Sequence, residues 1–222
     1  MMITDSFLQV FDKIANSVTD NCCNVYEKQT GATMNRVIIV DKGARMVCYD
    51  ENAVKDMKPF TIHRSSFLRD KECDGIVLVE KNCPETYKII LTDLKSGFDL
   101  SNIEKAYKQM FFSFLKLHAM LSLCEGYDVN SHEVEMIAAC KCMRDKAQED
   151  NVYKILNDRL KTDAKTARTF FKLINEGTAC VKLADFPIEN MPPLNKDIYN
   201  KEIRLFLSVT QTPNDSMVLH IG

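Results

Sequence analysis

Residues 74–97, with the sequence DGIVLVEKNCPETYKIILTDLKSG, decide the fold of this chain. They contain two apolar runs, 74–80 and 87–92, typical of strands that are buried on both faces. Between the runs, Asn82 and Pro84 favour a turn at 81–85. We therefore expect two neighbouring strands that pair antiparallel, with the polar residues 92–97 at the end of the second strand.

A long amphipathic helix is predicted after these strands. Gly97 ends the second strand, Asp99 or Ser101 caps the helix, and the helix covers 102–123. Its apolar stripe is Ile103, Tyr107, Met110, Phe114, Leu117 and Leu121. A further buried strand is predicted at 133–142.

The flanking segments predict an α/β fold with a mixed sheet between helices. We expect a helix over 5–28, because Phe7, Phe11, Ile14 and Val18 share one helical face. The remaining predicted elements are a hairpin of strands 36–40 and 45–49 around Asp41-Lys42-Gly43, helices 150–161 and 163–175, and strands 178–183, 203–209 and 217–221. Residues 1–142 form the predicted core, and 143–222 form a C-terminal α+β extension packed on the same domain.

Composition excludes several classes of protein. The chain is 45% hydrophobic and 27% charged, and it has no apolar run of about 18 residues that would cross a membrane. Its start, MMITDSFLQVFDK, lacks the basic region of a signal peptide. Nine scattered cysteines predict reduced thiols and a cytoplasmic protein. A net charge of −2 excludes a non-specific nucleic-acid coat, and no Gly-rich nucleotide-binding loop is present.

One group of polar residues indicates chemistry. Asp93 and Lys95 alternate along the second strand and therefore point to the same face of the sheet. Antiparallel pairing brings Asp74, at the start of the first strand, next to Asp93. Two carboxylates and a backbone carbonyl, that of Leu94, suit Mg²⁺ and also accept Mn²⁺. A metal with a nearby lysine is what phosphodiester hydrolysis requires.

This pattern resembles the PD-(D/E)xK nuclease superfamily, which includes restriction endonucleases. The resemblance rests on Asp74, then Asp93-Leu94-Lys95 at a strand end, then a helix that contains Gln109. It implies a restriction-endonuclease-like α-β-β-β-α-β core over residues 5–142. It also implies a Mg²⁺-dependent nuclease, acting on DNA, in a restriction or phage-defence setting.

The resemblance assigns roles to individual residues. Asp74 and Asp93 would bind the metal, Lys95 would position the attacking water, and Gln109 would support the site or touch DNA. An acidic residue of the first helix often joins the site, and Glu27 and Asp12 are the candidates. Cys73 stands where the motif has proline, a variation that the superfamily tolerates. Ser113 stands where the exonuclease branch has tyrosine, so an endonuclease is the better match.

Each assignment has a simpler alternative. Asp93 and Lys95 would also suit a solvated strand end, and Gln109 an ordinary helix surface. A basic stripe could follow a phosphate backbone or be a solvated helix face; its members are Lys161, Lys165, Arg168 and Lys172. The whole fold could serve as a binding module without catalysis. A homodimer or a partner subunit stays open.

Overall fold

A computed structural model describes residues 3–11, 16–27, 30, 32, 34–50, 72–80, 87–141, 146–187, 194–210 and 216–221. These residues form an α/β structure with an eight-stranded mixed sheet. The helices are α1 (Ile3–Val10), α2 (Leu100–Leu121), α3 (Lys146–Arg159), α4 (Ala164–Glu176) and the single turn α5 (Lys196–Tyr199). The strands are β1 (Asn16–Tyr26), β2 (Arg36–Asp50), β3 (Gly75–Glu80), β4 (Tyr87–Lys95), β5 (His132–Lys141), β6 (Thr178–Lys182), β7 (Glu202–Thr210) and β8 (Ser216–His220).

The strands follow the order β1-β2-β3-β4-β5-β7-β6, and β8 pairs with β2. The pairs β1/β2, β2/β3, β3/β4 and β6/β7 are antiparallel. The pairs β4/β5, β5/β7 and β2/β8 are parallel. The change from antiparallel to parallel pairing at β4 and β5 requires the crossover that α2 provides.

The central prediction is confirmed. β3 and β4 pair antiparallel, and α2 follows them, capped by Asp99, whose side chain accepts a hydrogen bond from Asn102 N at 2.8 Å. All six residues of the predicted α2 stripe are buried. β4 continues three residues past the predicted end, to Lys95, so the polar site residues lie within the strand. The predicted turn at 81–85 lies outside the described residues.

The C-terminal elements are confirmed within a few residues. α3 and α4 correspond to the predicted helices at 150–161 and 163–175. β6, β7 and β8 correspond to the three predicted strands. Because β7 pairs with β5 and β8 pairs with β2, residues beyond 143 extend the same sheet. The C-terminal strands β7 and β8 are therefore part of the same sheet as β2 and β5.

The predicted helix over 5–28 is wrong beyond its first turns. α1 ends at Val10, and residues 16–26 form β1. The side chains of residues 22–26 alternate as in a strand, because Cys23 and Val25 are buried and their neighbours are exposed. The segment also contains asparagines, Thr19 and β-branched valines, which are weak helix formers. Pairing with β2 therefore outweighs the helical spacing of its apolar residues.

The predicted hairpin at 36–49 is also wrong, because both of its arms belong to β2 and pair with β1. The register passes from Cys22 opposite Val40 to Asp20 opposite Arg45, which leaves residues 41–44 without partners in that ladder. Gly43, with φ of 82°, supplies the positive φ that the predicted turn required. The turn residues therefore form a bulge that bends one long strand.

The sheet has an apolar cluster on each face. One cluster lies against the helices and includes Ile76, Leu91 and the α2 stripe. The other contains Val77, Ile90 and Ile137 of the sheet, with Cys23 and Val25 of β1. The C-terminal half of β1 therefore folds over the face opposite the helices.

The cysteines are not all free thiols, contrary to the sequence prediction. Cys23 and Cys48 form a disulfide, with Cα atoms 6.3 Å apart. Among the described cysteines, the free ones are Cys22, Cys73, Cys124, Cys140 and Cys180. The helices of the described part of the chain include none that is long and apolar enough to span a membrane.

Candidate active site

The pairing of β3 with β4 places Asp74 beside Asp93. The ladder ends with Gly75 opposite Thr92, so Asp74, the residue before Gly75, comes opposite Asp93. One residue further, the Leu94 amide donates a 2.6 Å hydrogen bond to Asp74 Oδ2. The two predicted carboxylates therefore lie at the same end of the same strand pair.

Asp93 and Lys95 share the sheet face that packs against α2. Asp93 is fully buried and forms an ion pair with Lys95. Lys95 Nζ also donates a 3.0 Å hydrogen bond to Gln109 Oε1 on α2. The alternation predicted for the strand is confirmed, and the alternative of a solvated strand end is wrong for Asp93.

The carboxylate of Asp93 is poorly compensated. Neither of its buried oxygens has a hydrogen bond of good geometry from any residue that the structure describes. Burial raises the pKa of Asp93 well above its usual value, and the charge of Asp74 raises this pKa further, whereas Lys95 lowers it. One cation therefore does not offset the cost of this buried, ionisable group.

Gln109 connects the site to the segment that precedes β3. Its Nε2 donates a 2.9 Å hydrogen bond to the backbone carbonyl of Glu72, and its Oε1 accepts from Lys95. A glutamine with both ends of its amide bonded inside the protein is not an ordinary surface residue. It fixes the position of Lys95 relative to β3.

Sequence reasoning did not assign Ser113, Lys116 or Glu72 to the site. Ser113 Oγ accepts a 2.9 Å hydrogen bond from Cys73 N. Lys116, which is fully buried, forms a 2.5 Å ion pair with Glu72. Gln109, Ser113 and Lys116 follow one another at helical spacing on α2, so polar periodicity inside an otherwise apolar helix was the available signal.

An acidic partner from the first helix is not found where it was expected. Glu27 follows β1 instead, and its charge contributes to raising the pKa of Asp93. Asp12, the other candidate, lies outside the described residues. Glu27 therefore lies close enough to act on Asp93 through its charge.

The donor set fits a hard divalent cation. Asp93 offers buried oxygens without good hydrogen bonds, and Asp74 lies beside it. Among the described residues, no three His, Cys, Asp or Glu side chains cluster closely enough to hold a metal together. Two carboxylates suit Mg²⁺, which usually keeps several waters, and do not suit a four-ligand zinc site. The Leu94 carbonyl stays a predicted third ligand.

The predicted basic stripe, formed by Lys161 and three residues of α4, is largely neutralised. Lys161 pairs with Asp158 at 3.2 Å, and Lys172 pairs with Glu176 at 3.9 Å. Lys165 forms an ion pair with Asp185. Arg168 is exposed, and within the described part of the chain no ion pair involves it. The role of the stripe in nucleic-acid binding stays a prediction.

A polar cleft of 380 Å³ lies between the first turns of α2 and the junction of α3 with α4. Its polar lining consists of three cations, two carboxylates and three hydroxyl side chains: Lys105, Lys108 and Arg159, Glu104 and Asp163, and Ser101, Thr162 and Thr166. Arg159 forms an ion pair with Glu104, whereas Lys105 and Lys108 form none with the described residues. Lys105 lies one helical turn before Gln109, on the same face of α2.

No family of known proteins, no curated protein and no solved structure matches this chain.

Proposed function

We propose that the protein is a metal-dependent nuclease of the PD-(D/E)xK type that hydrolyses phosphodiester bonds in DNA. The observation that carries this proposal is the buried, poorly compensated carboxylate of Asp93, which pairs with Lys95 and lies next to the residue that binds Asp74 through its amide. A protein does not gain stability from such an arrangement, since burial of an ionisable group is costly. Perturbed groups of this kind are typical of functional sites.

Each site residue has a role in this proposal. Asp74 and Asp93 would hold Mg²⁺, with Mn²⁺ as a substitute, and the Leu94 carbonyl would complete the protein ligands. When bound, the metal activates water and offsets charge on the phosphate. Lys95 orients the attacking water, and Gln109 holds Lys95 in place through its 3.0 Å hydrogen bond.

The topology supports a restriction-endonuclease-like core. From α1 to β5 the described order is α-β-β-β-β-α-β, and β2 to β5 are consecutive in the sheet. β1 is the addition to the expected α-β-β-β-α-β unit. By analogy with the superfamily, we place the activity in restriction or phage defence.

The cleft beside α2 supports contact with a nucleic-acid backbone. It contains lysines without carboxylate partners among the described residues, together with hydroxyl donors, and phosphates are bound by such groups. Lys105 lines this cleft, and Gln109 lies one helical turn after Lys105 on α2. We place the phosphates that flank the cleaved bond along Lys105 and Lys108.

The test is a titration of the purified protein with Mg²⁺ and with Mn²⁺ in the presence of linear or circular DNA. Asp93→Ala is expected to abolish cleavage while retaining the fold, as judged by circular dichroism. Asp158→Ala, an exposed carboxylate on α3, is the matched control and is expected to cleave normally. Cleavage of circular DNA would identify an endonuclease, and undiminished cleavage by Asp93→Ala would contradict the site.

The alternative is a nuclease-like fold that binds protein or nucleic acid without catalysis. It is favoured if calorimetry detects no metal binding and no DNA is cleaved. The observation on its side is the ion pair of Lys95 with Asp93, which already gives this carboxylate a cationic partner within the protein. Metal binding that requires Asp93 would argue against it.

A further inference from the structure

The segment that leads into β3 is held by α2 at three successive points. Gln109 Nε2 donates to the Glu72 carbonyl at 2.9 Å. Ser113 Oγ accepts from the next amide, Cys73 N, at 2.9 Å. Lys116 pairs with the Glu72 side chain at 2.5 Å. The residue that follows these contacts is Asp74.

The third contact involves Lys116, a charged side chain that is fully buried on α2. Lys116 is 0% exposed, whereas the Glu72 side chain retains 11% exposure. A methionine would fill the same position in the helix without an ammonium group to desolvate, so the charge at Lys116 is not explained by packing. What the charge adds is a fixed attachment of α2 to Glu72.

Asp74 is thereby fixed from two sides. On one side, α2 holds the two residues before it. On the other side, its own carboxylate accepts the 2.6 Å hydrogen bond from Leu94 N on β4. Because Asp93 directly precedes Leu94, a shift of the 72–74 segment would move Asp74 relative to Asp93.

We propose that Lys116 and Glu72 are a positioning pair that sets Asp74 beside Asp93 in the active site. This inference rests on the proposed function for its catalytic meaning, but its structural part can be measured separately. Neither residue touches the reacting atoms. Residues that orient metal ligands typically change metal affinity by 10- to 100-fold when they are replaced.

The test compares Lys116→Met with Glu72→Gln and with Leu173→Ala. Lys116→Met removes the charge at nearly constant volume and leaves Glu72 close to solvent, so the fold should be retained. Glu72→Gln removes the charge from the other partner and leaves the buried ammonium of Lys116 without a counter-ion, so it should lower stability more than Lys116→Met does. Leu173→Ala truncates a fully buried side chain on α4 and controls for a general loss of stability.

The first readout is hydrogen exchange at the amides of Cys73 and Leu94, which donate to Ser113 and Asp74. We expect exchange at both amides to accelerate at least tenfold in the two pair variants and to change no more than the rest of the sheet in Leu173→Ala. The second readout is Mn²⁺ affinity by calorimetry, which should fall about tenfold in the pair variants.

The two proposals fail in different ways. If the unaltered protein neither binds Mn²⁺ nor cleaves DNA, the nuclease proposal fails, while accelerated exchange at Cys73 and Leu94 still supports the positioning pair. Unchanged exchange at both amides in Lys116→Met and in Glu72→Gln would overturn the positioning pair, even if the protein is a nuclease.

Discussion

The Leu94 amide donates a 2.6 Å hydrogen bond to Asp74 Oδ2. This bond continues the attachment of β3 to β4 beyond their ladder, which ends at Gly75 and Thr92. At the start of β3, the acceptor of this hydrogen bond is thus the side chain of Asp74 and not a backbone carbonyl of β3. The arrangement ties Asp74 to the peptide that follows Asp93, and therefore couples the two carboxylates through the covalent structure of β4.

Gln109→Glu is expected to slow cleavage roughly tenfold. The new carboxylate still accepts from Lys95, but it cannot donate to the Glu72 carbonyl, which Gln109 Nε2 now satisfies at 2.9 Å. The added negative charge also attracts the amino group of Lys95 and so moves it away from the attacking water. Single-turnover cleavage rates measure the effect. A rate equal to that of the unaltered protein would contradict the bridging role of Gln109.

Gly75→Ala is expected to destabilise the protein by about 2 kcal/mol through overpacking. A Cβ at this position would lie 2.5 Å from Val25 Cγ1, because β1 folds over β3 there. Combining Gly75→Ala with Val25→Ala should give less destabilisation than the sum of the single variants. Urea unfolding of the three variants measures this coupling, and additive effects would show that β1 does not lie over β3.

Asp93→Asn is expected to stabilise the metal-free protein at neutral pH by about 1 kcal/mol. Burial raises the pKa of Asp93, so the ionised carboxylate lowers stability above the pKa of the unfolded state, and an amide avoids this loss. The advantage should shrink as the pH falls toward 4. Urea unfolding in the presence of a metal chelator measures this difference in stability at each pH. Asp158→Asn, at an exposed position, is the control. A destabilised Asp93→Asn would mean that Lys95 compensates Asp93 fully.

His132 is expected to make stability decrease in mild acid. Burial lowers its pKa to about 4, its Nδ1 lies 2.8 Å from the Asp128 carbonyl, and its buried Nε2 has no hydrogen bond from the described residues. The unfolded chain therefore binds a proton below pH 6.5 that the folded chain does not, and stability falls by up to about 3 kcal/mol as the pH drops toward 4.

His132→Phe, which preserves a ring stacked against Tyr87, should lose this part of the pH dependence. The measurement is urea unfolding between pH 7.5 and 4.5, with the exposed His220→Gln as the matched control. An unchanged slope in His132→Phe would assign the acid sensitivity to other groups.

Replacement of both Lys105 and Lys108 by alanine is expected to weaken DNA binding and to reduce its dependence on salt. Each phosphate contact contributes about 0.9 to the slope of log affinity against log salt, so the slope should fall by about 2. The comparison is replacement of Lys161 and Lys165, which already have carboxylate partners and should matter less. Fluorescence anisotropy in the Asp93→Ala background measures binding without cleavage. The opposite ranking would favour the α4 stripe.

Where a segment has one strong pattern, the sequence predicted its structure well. The apolar runs of β3 and β4 and the regular stripe of α2 admit one arrangement, and the alternation of Asp93 with Leu94 then fixes the direction of each side chain. The segments that were predicted wrongly have patterns that suit two structures. Residues 16–26 carry apolar side chains at helical spacing, yet they pair as β1, because the edge of β2 offers hydrogen bonds that no local pattern reveals.

The candidate site divides in the same way. The sequence by itself determined that Asp74, Asp93 and Lys95 meet at one strand end, since strand pairing and period-two alternation are local rules. Only the tertiary structure decided that Asp93 is buried with poor compensation and that α2 holds the segment before Asp74 through Lys116. Burial and contacts between distant segments depend on how the helix and the sheet pack together. The spacing of residues along the chain does not encode this packing.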